Sequence, residues 1–333
     1  MASLKDIAKE VGISISVVSR ALNENPDQQV SPITKKKVEE AARRLNYQRN
    51  YTASMLARGK STAIGIFLPC HQTLISDLVF GISQAIAERN FQGNFFFGLN
   101  MEDYLRFLNS VNNCGSSGIL TYYPENLSTE FEAWTTEIKK YQERNGKVMV
   151  LNPRNEPLSG TMQMEIDDVA GGKIAAEYLI ETNCSEFILV PPDFKSTYFN
   201  FRREGFESVM IEHGMNNRII HANGEEFQIL LKEIENSPEK IFGFSAFSDY
   251  HAMALIQEFS RNGLGSRIGK TIRIIGYDNI HAAKFTPPAL TTISQPVFQL
   301  AYRAMHRLIS SIIGEKLPDE ELKLKPTLVV RES

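Results

Sequence analysis

The chain has 333 residues, of which 42% are hydrophobic and 23% are charged, and its formal net charge is −3. This composition is typical of a folded protein with two or three domains, and it excludes the disordered and fibrous classes. Because the sequence has no run of about 18 apolar residues that could cross a bilayer, and no signal peptide pattern, we expect a cytoplasmic protein without membrane contacts.

Residue types that carry catalysis or bind metals do not fall into recognisable patterns. The three cysteines, Cys70, Cys114 and Cys184, are far apart and form no C-x-x-C pair, which argues against a disulfide framework or a thiolate zinc site. The six histidines show no metal-ligand spacing, and no G-x-S-x-G turn marks a nucleophilic serine. We therefore expect no metal, no cofactor and no enzymatic activity.

Charge is divided unevenly along the chain. Residues 1–60 contain eleven Lys and Arg side chains against six acidic ones, a net charge of +5, whereas residues 61–333 carry −8. A small basic segment joined to a large acidic one indicates a polyanion-binding head on a separately folded body. A solvated charged surface without a partner would have the same composition.

In the first 50 residues, the spacing of the apolar side chains predicts three helices. Apolar residues three and four positions apart predict the first helix over 4–11. Ser14 is a suitable N-cap for a second helix over 15–23, and Ser31 followed by Pro32 marks the start of a third. Two short helices joined by a three-residue turn and closed by a third helix make a helix-turn-helix module.

The second predicted helix has one face that packs and another that is free to touch a ligand. On the free face, Arg20 has the planar fork for bidentate contact with guanine, Ser16 can hydrogen-bond to several base edges, and Ile15 can meet a thymine methyl group. In this interpretation the helix lies in the major groove of DNA. The alternative is an ordinary amphipathic helical hairpin with a surface arginine.

Three stretches of the sequence resemble the N-terminal signature of LacI/GalR-type transcriptional regulators. They are LKDIAKEVGISISVVSRALNENP (4–26), VSPITKKKVEEAARRLNYQRN (30–50) and ASMLARGKSTAIGIFLP (53–69). The match is nearly unbroken over the first 69 residues. It implies a DNA-binding head that is connected to an effector-binding body.

The resemblance also implies roles for individual residues of the head. Ile15, Ser16 and Arg20 match the residues that read bases. The residues that match phosphate contacts are Ser14, Ser19, Asn23 and Asn50. The sequence departs from the family pattern at Val17, where a phosphate-contacting threonine is usual, and in the 23–30 loop, which is about two residues longer.

Residues 51–58 match the hinge helix of the family, and Leu56 matches the leucine that enters the minor groove at the centre of the operator. A helix of two turns is too short to be stable alone, so we expect it to form only on DNA and beside the copy from a partner chain. Such a segment would act as a switch. The alternative for Leu56 is a linker side chain that packs on the body.

From residue 61 onward, apolar strands alternate with amphipathic helices. The predicted strands are 63–68, 95–99, 118–123, 147–152, 187–191, 218–222, 241–247 and 271–277, and predicted helices include 75–89, 169–180, 203–213 and 250–261. Repeated strand-helix units predict parallel sheets that are buried on both faces. Two blocks of such units predict two Rossmann-like lobes.

Ligands of such sheets bind beyond the carboxyl ends of the strands. The polar residues that follow or flank those ends are Tyr122 and Asn152 in the first lobe, and Arg202, Ser248 and Asp278 in the second. They suit a polyol or another small polar ligand. By the family resemblance, which extends more loosely across the body, Arg202 and Asp278 match an effector-binding arginine and aspartate, and Ser248 replaces a common asparagine.

The alternative roles are structural. Arg202 would form a salt bridge between the lobes, and Asp278 would cap the end of a strand. The loop after the first strand departs from the acidic, aromatic version that is usual in the family. His71 in this loop is a further candidate for effector contact, and its alternative is an ordinary surface histidine.

The predicted fold is α/β, with an N-terminal all-α helix-turn-helix headpiece and a two-lobed body like that of periplasmic binding proteins, built from parallel α/β subdomains. The predicted boundaries are 1–49 for the headpiece, 50–60 for the hinge helix and linker, 61–164 with 294–325 for the first lobe, and 165–293 with 326–333 for the second.

The sequence thus predicts a transcriptional repressor whose body binds a small effector, a sugar or a sugar derivative, that changes operator affinity. Its predicted partners are pseudo-palindromic operator DNA and a second copy of the chain, because one helix-turn-helix reads only one half-site. Inducer and corepressor both stay open. A solute-binding protein without a role on DNA is the main alternative, and an enzyme acting on sugar phosphates is the third.

Overall fold

The computed structural model describes residues 2–22, 30–47, 61–69, 73–122, 131–153, 158–222, 224–317 and 319–333. The predicted hinge helix and four candidate site residues, Asn23, Asn50, Leu56 and His71, lie outside these described residues. Contacts divide the chain into two units, Met1–Ser61 and Thr62–Ser333, which we call the headpiece and the body.

The headpiece contains three short helices, α1 (Leu4–Val11), α2 (Ile15–Ala21) and α3 (Pro32–Arg44). The Ser3 hydroxyl accepts a hydrogen bond from the Asp6 backbone N–H at the start of α1, and Gly12, with φ +72°, ends that helix. Side chains buried between the three helices form its core, namely Ile7, Ala8, Val18, Ala21, Val38 and Ala41. The predicted three-helix module is confirmed, although α2 ends two residues earlier than its pattern indicated.

The first sheet of the body consists of six strands in the order β11-β5-β4-β3-β1-β2, and all its pairs are parallel. Its strands are β1 (Ala63–Pro69), β2 (Gln92–Gly98), β3 (Gly118–Tyr122), β4 (Lys147–Leu151), β5 (Met162–Ile166) and β11 (Lys323–Leu324). The helices of this lobe are α4 (Ile75–Glu88), α5 (Met101–Asn113), α6 (Phe131–Glu143) and α11 (Val297–Ile313).

The second sheet has the order β12-β10-β9-β8-β6-β7, in which only the β10–β12 pair is antiparallel. Its strands are β6 (Glu186–Val190), β7 (Asn217–Ile219), β8 (Phe242–Ala246), β9 (Ile272–Asp278), β10 (Thr291–Ser294) and β12 (Thr327–Val329). The helices of this lobe are α7 (Asp168–Glu181), α8 (Thr197–Glu212), α9 (Glu225–Asn236) and α10 (Asp249–Arg261).

The chain crosses between the two sheets three times, from β5 to α7, from β10 to α11 and from β11 to β12. Each sheet is covered by apolar side chains that form two clusters. The prediction of two parallel α/β lobes is therefore confirmed. The carboxyl ends of β1, β3 and β4 in one lobe and of β6, β8 and β9 in the other are the places where this architecture binds ligands.

Helix α8 begins at Thr197, six residues before the predicted start. Its first five residues, TYFNF, comprise two polar and three aromatic residues, so its helical pattern is weak in the sequence. The Ser196 hydroxyl accepts a hydrogen bond from the Phe199 backbone N–H and fixes the start of the helix.

Helices α7 and α8 approach each other through two glycines. A Cβ atom at Gly172 would lie 1.9 Å from the Arg202 carbonyl oxygen, and one at Gly205 would lie 1.9 Å from the Val169 carbonyl oxygen. No side chain fits at either distance, so the two backbones are in direct contact. The contact places the first turn of α7 beside the first turns of α8.

We expect Gly205→Ala to lower the free energy of unfolding by about 2–3 kcal/mol, because the added methyl group must push the two helices apart. Gly224→Ala is the matched control, since its Cβ would lie 3.6 Å from the nearest atom, and we expect it to cost at most about 1 kcal/mol. Urea denaturation of both variants measures the difference. Equal stabilities would contradict the close contact of α7 with α8.

Candidate functional site

The headpiece presents one side of α2 to solvent. Val18 and Ala21 are buried in the core, whereas Ile15, with 47% of its surface exposed, Ser16 and Arg20 lie on the outside. These three are the residues that the sequence predicted to read bases. Their exposure on one short helix is what a helix that enters the major groove requires.

Local hydrogen bonds organise this exposed side. The Ser14 hydroxyl accepts a hydrogen bond from the Val17 backbone N–H at 3.3 Å, which makes Ser14 the N-cap of α2. Its oxygen is also 2.9 Å from the hydroxyl oxygen of Ser16. Arg20 donates from Nε to the Ser16 carbonyl oxygen at 3.3 Å.

Positive charge is concentrated on the same small unit. The exposed cationic residues of α2 and α3 are Arg20, Lys35, Lys36, Lys37, Arg43 and Arg44. Two of them have acidic partners, Arg44 with Glu10 at 2.8 Å and Lys35 with Glu39 at 4.0 Å. Surface pairs of this kind are weak and compete poorly with phosphate groups.

The body contains a cleft with a volume of about 560 Å³ that is lined by both lobes. The first lobe contributes residues that include Asn152, Gln163, Glu165 and Lys323, and the second contributes residues that include Asp168, Tyr198, Phe201 and Glu204. Of the five described effector candidates, Asn152 lines this cleft. Arg202 and Asp278 lie in the second lobe near Asp168, which itself lines the cleft.

Arg202 is the central polar residue of the second lobe. Its Nε donates to Asp168 Oδ1 at 2.8 Å, and its Nη1 donates to the Phe247 carbonyl oxygen at 2.7 Å. Its guanidinium carbon lies 3.5 Å from the centre of the Tyr277 ring and 5.0 Å from that of Phe247. Burial lowers the pKa of Arg202, but the charges of Asp168, Tyr277 and Asp278 and the hydrogen bond to Asp168 together outweigh this effect and raise the pKa overall.

Asp278 is the last residue of β9. Only 8% of its surface is exposed, and its φ is +116°. Its Oδ1 accepts a hydrogen bond from Gln295 Nε2 at 2.6 Å. Burial raises the pKa of Asp278 to about 7, although the charge of Arg202 opposes the rise, and Asp249 adds to it. The structure thus brings Arg202 and Asp278 into one electrostatic cluster.

Asp249 completes this cluster. It is fully buried, accepts a hydrogen bond from the Ile280 backbone N–H at 2.8 Å, and accepts another from the Thr292 hydroxyl. Burial raises its pKa to about 6, and the hydrogen bond from Thr292 acts in the opposite direction. We call Arg202, Asp168, Asp249 and Asp278 the second-lobe cluster.

The other three described candidates are engaged in internal hydrogen bonds. Asn152 Nδ2 donates to the Tyr122 hydroxyl at 3.1 Å, and Asn152 Oδ1 accepts from the Ile166 backbone N–H at 2.9 Å. The Ser248 hydroxyl caps α10 and lies 2.8 Å from His251 Nδ1. The sequence placed these residues at strand ends, but it did not reveal these partners.

Sequence reasoning did not assign a site role to Asp168, Asp249, Phe247 or Tyr277. In the sequence, Asp168 and Asp249 are the second members of the polar pairs Asp167-Asp168 and Ser248-Asp249, which is the signal that points to them. The burial of Asp168 beside Arg202 depends on the α7–α8 contact, whereas Asp249 is buried against Ile280 and Thr292. No spacing rule along the chain contains that information.

None of the helices in the described ranges is long and apolar enough to cross a membrane. Within the part of the chain that the structure describes, no three His, Cys, Asp or Glu side chains are grouped in a way that could hold a metal ion.

Known protein families match both the headpiece and the body. The family model of bacterial regulatory proteins of the lacI family matches residues 3–50, and that of the periplasmic binding protein-like domain matches residues 176–333. The whole chain is 27% identical to the probable HTH-type transcriptional repressor ExuR of Bacillus subtilis (strain 168), and the match covers 98% of that protein.

Two solved structures share the fold. The lac repressor dimer bound to operator and the anti-inducer ONPF has a TM-score of 0.72 and 20% identity, over 99% of this chain and 98% of that one. A LacI family transcriptional regulator from Enterococcus faecium with bound ribose has a TM-score of 0.63 and 23% identity, over 81% and 98%.

A helix-turn-helix headpiece followed by a two-lobed body of parallel sheets defines a class of DNA-binding regulators with a ligand-binding body. The chain has a LacI-family helix-turn-helix domain followed by a periplasmic binding protein-like domain. The resemblance of its first 69 residues to that family is confirmed. Its full-length relatives are named as transcriptional repressors and not as enzymes.

The raised pKa of Asp278 makes the stability of the body depend on pH. The unfolded carboxyl releases its proton near its ordinary pKa of 3.8, and the folded one near 7. Between these values the folded state binds more protons, so the free energy of unfolding falls as the pH rises from about 4 to about 7, and this contribution is constant above that range.

We therefore expect Asp278→Asn to stabilise the protein by about 1–3 kcal/mol more at pH 8 than at pH 5. Urea denaturation at the two pH values gives the difference. Glu212→Gln, which removes an exposed carboxylate at the end of α8, is the control and should show no such difference. A pH-independent effect of Asp278→Asn would contradict the raised pKa.

Proposed function

We propose that the chain is a transcriptional repressor that binds a pseudo-palindromic operator as a homodimer, and that a small sugar bound to its body changes its affinity for DNA. The exposed side of α2, with Ile15, Ser16 and Arg20 beside a basic surface, is the observation that carries the DNA-binding part. Such a protein works in the cytoplasm, where the bacterial nucleoid is accessible to it.

On DNA, Arg20 makes the most specific contact, a bidentate pair of hydrogen bonds to guanine O6 and N7. Ser16 and Ile15 add contacts to neighbouring bases. Ser14, Ser19, Asn23 and Asn50 hold phosphates, and Leu56 in the hinge enters the minor groove at the operator centre. We assign residues 1–49 to the headpiece and 50–60 to the hinge in this scheme.

In the body, the effector binds between the lobes, 61–164 with 294–325 and 165–293 with 326–333. Arg202 and Asp278 bind its hydroxyl groups from the second lobe. Asn152, Tyr122, Ser248 and His71 surround it. The ribose bound to the E. faecium regulator supports a sugar as the effector of this chain.

Effector and operator affect each other's affinity through the relative positions of the lobes. A ligand between the lobes favours one arrangement over others, and the paired hinge segments respond to the first lobes of the dimer. Coupling of this kind is typically worth about 1–3 kcal/mol and is reciprocal between the two ligands. Both inducer and corepressor action agree with this scheme.

The homodimer follows from the single reading helix of each chain. Large apolar side chains that are exposed on the body include Phe80 on α4, Phe97 on the edge strand β2, and Phe285. Exposed aromatic side chains of this kind are enriched in interfaces between subunits. A periplasmic-type solute-binding protein is the second candidate, since it shares the architecture of the body.

We expect Arg20→Ala to weaken binding to the preferred duplex by about 1–3 kcal/mol and to relax the sequence preference. The preferred duplex is first selected from random sequences with the full chain. Arg43→Ala removes the same charge from α3 and should weaken all sequences alike. If both variants lose affinity equally on every sequence, Arg20 does not read bases; if the full chain retains no duplex while binding sugars, the protein is a solute binder.

We expect Arg202→Ala to abolish the thermal stabilisation that a bound sugar causes, which amounts to about 2.7 kcal/mol at 100 times its dissociation constant. The substitution also leaves Asp168 buried without its partner, at a cost of about 3 kcal/mol. The double variant with Asp168→Asn separates the two effects, because it should regain stability without regaining the sugar response. A single variant that still responds to the sugar would place the effector elsewhere.

A further inference from the structure

Asp278, one of the proposed effector contacts, begins a sharp reversal of the chain. It is the last residue of β9, and the next residue, Asn279, already reaches back to β10 through a hydrogen bond. The φ angles of Asp278 and Asn279 are +116° and +58°. Residues other than glycine rarely adopt such angles, and they keep them only where the surrounding contacts fix the backbone. We call residues 278–280 the effector turn.

Two backbone hydrogen bonds hold the effector turn. The Asn279 N–H donates to the Thr292 hydroxyl oxygen in β10 at 3.3 Å, and the Ile280 N–H donates to Asp249 Oδ2 at 2.8 Å. Both acceptors are fully buried residues. Because amide hydrogens in such bonds exchange with solvent only when the bond opens, their exchange rates report whether the turn is in place.

The Asn279 side chain joins the effector turn to two further segments. Its Nδ2 donates to Ser294 Oγ at 3.2 Å, and its Oδ1 accepts a hydrogen bond from Arg331 Nη2 at 2.6 Å. The bond from Arg331 is the shortest of the four that hold the turn. Its donor is charged, and such hydrogen bonds are stronger than those between neutral groups. Of these four contacts, the one from Arg331 therefore ties the turn most firmly to the lobe.

Arg331 is itself held in place. Its Nη1 donates to the Leu290 carbonyl oxygen at 2.5 Å, and its backbone N–H donates to the Thr291 hydroxyl oxygen at 3.0 Å. Two residues later, the Ser333 hydroxyl accepts a hydrogen bond from the Thr291 N–H at 2.8 Å and donates to the Ile274 carbonyl oxygen at 2.7 Å. The guanidinium group is thus pre-organised, so it loses little freedom when it holds another group.

The segment that carries Arg331 begins in the other lobe. Strand β11 pairs with β5 of the first sheet, β12 pairs with β10 of the second, and two residues separate β11 from β12. Lys323 Nζ lies 3.5 Å from the carboxylate oxygens of Glu165 and Asp167, where the chain crosses from β5 to α7. Residues 323–333, which we call the strap, therefore connect this crossing with the effector turn.

We propose that Arg331 is a positioning residue of the effector site, which through Asn279 ties the effector turn to the strap and holds Asp278 where it meets the ligand. This inference rests on the proposed function, since it concerns how the effector-binding aspartate of that regulator is held. Without the bond from Arg331, the turn leaves its sparsely populated backbone conformation more often. A ligand then meets fewer competent molecules, which lowers its apparent affinity.

Hydrogen exchange of the ligand-free full chain tests the positioning directly. In Arg331→Met, we expect the Asn279 and Ile280 amides to exchange at least about tenfold faster than in the unmodified chain. Arg267→Met is the matched control, because Arg267 also donates to backbone carbonyl oxygens and to a side-chain oxygen of the second lobe. Arg267 lies before β9, and that strand of about 20 Å separates it from the effector turn.

The control should leave the exchange of these two amides unchanged. Exchange in Arg331→Met at the rate of the unmodified chain, or equal acceleration in both variants, overturns the proposal. If Arg331→Met does not fold, Arg331→Lys takes its place with the same expectation, since lysine lacks the fork that reaches Asn279 and Leu290 together.

A double variant tests whether Arg331 acts through Asn279. Asn279→Gly removes the acceptor of the Arg331 hydrogen bond and still allows a positive φ. In this background we expect Arg331→Met to change the exchange of the Ile280 amide less than about twofold, because the group it holds is absent. A full effect in this background would contradict the proposed role of Asn279.

The second measurement concerns the ligand. D-ribose, D-xylose, D-glucose and D-galactose are each added to the unmodified chain, and a sugar that raises its melting temperature is titrated calorimetrically. We expect Arg331→Met to weaken the binding of that sugar at least about tenfold, whereas Arg267→Met leaves it unchanged. In the Asp278→Asn background, Arg331→Met should weaken binding by less than about threefold, because the carboxylate it positions is absent. Unchanged affinity in Arg331→Met overturns the proposal.

The two measurements distinguish failure of this inference from failure of the proposed function. If the amides exchange faster as expected but none of the four sugars binds, Arg331 holds the turn while the assignment of a sugar effector fails. If a sugar binds Arg331→Met as tightly as the unmodified chain, the sugar effector stands while Arg331 is not a positioning residue.

Discussion

The buried ion pair between Arg202 and Asp168 is the interaction on which the polar side of the second lobe depends. The two residues meet because α7 and α8 touch through their backbones at Gly172 and Gly205, which leave no room for a Cβ atom. Arg202 then reaches the Phe247 carbonyl oxygen and holds the end of β8 next to α8. A buried pair of this kind is costly to break, because each partner would be left as an isolated charge.

Burial and charge together determine the electrostatics of the second-lobe cluster. Burial raises the pKa of Asp249 and of Asp278, although the charge of Arg331 opposes the rise at Asp249 and that of Arg202 opposes it at Asp278. The cluster has more carboxyl groups than arginines. The headpiece has the opposite character, with exposed cations on short helices, so the two units are suited to different partners.

The sequence predicted most of the fold because the signals for most helices and strands lie in residues that are close together in the chain. The caps at Ser14 and Ser31 and the apolar spacing define the headpiece helices, and continuous apolar runs mark the buried parallel strands. Four strands were missed, namely β5, β10, β11 and β12. Strands β11 and β12 have only two and three residues, and β5 and β10 mix polar with apolar residues, so their pairing depends on partners distant in the chain.

The sequence by itself determined the family, the three-helix headpiece with Arg20 on its exposed side, and the two series of strand-helix units, because each of these depends on residues close together in the chain. Only the tertiary structure decided which polar residues meet. It joined Asn152 to Tyr122 and Ser248 to His251, it buried Asp168 and Asp278 beside Arg202, and it buried Asp249 near Asp278. The physical reason is that burial and charge compensation arise from packing between segments far apart in sequence, which no local pattern records.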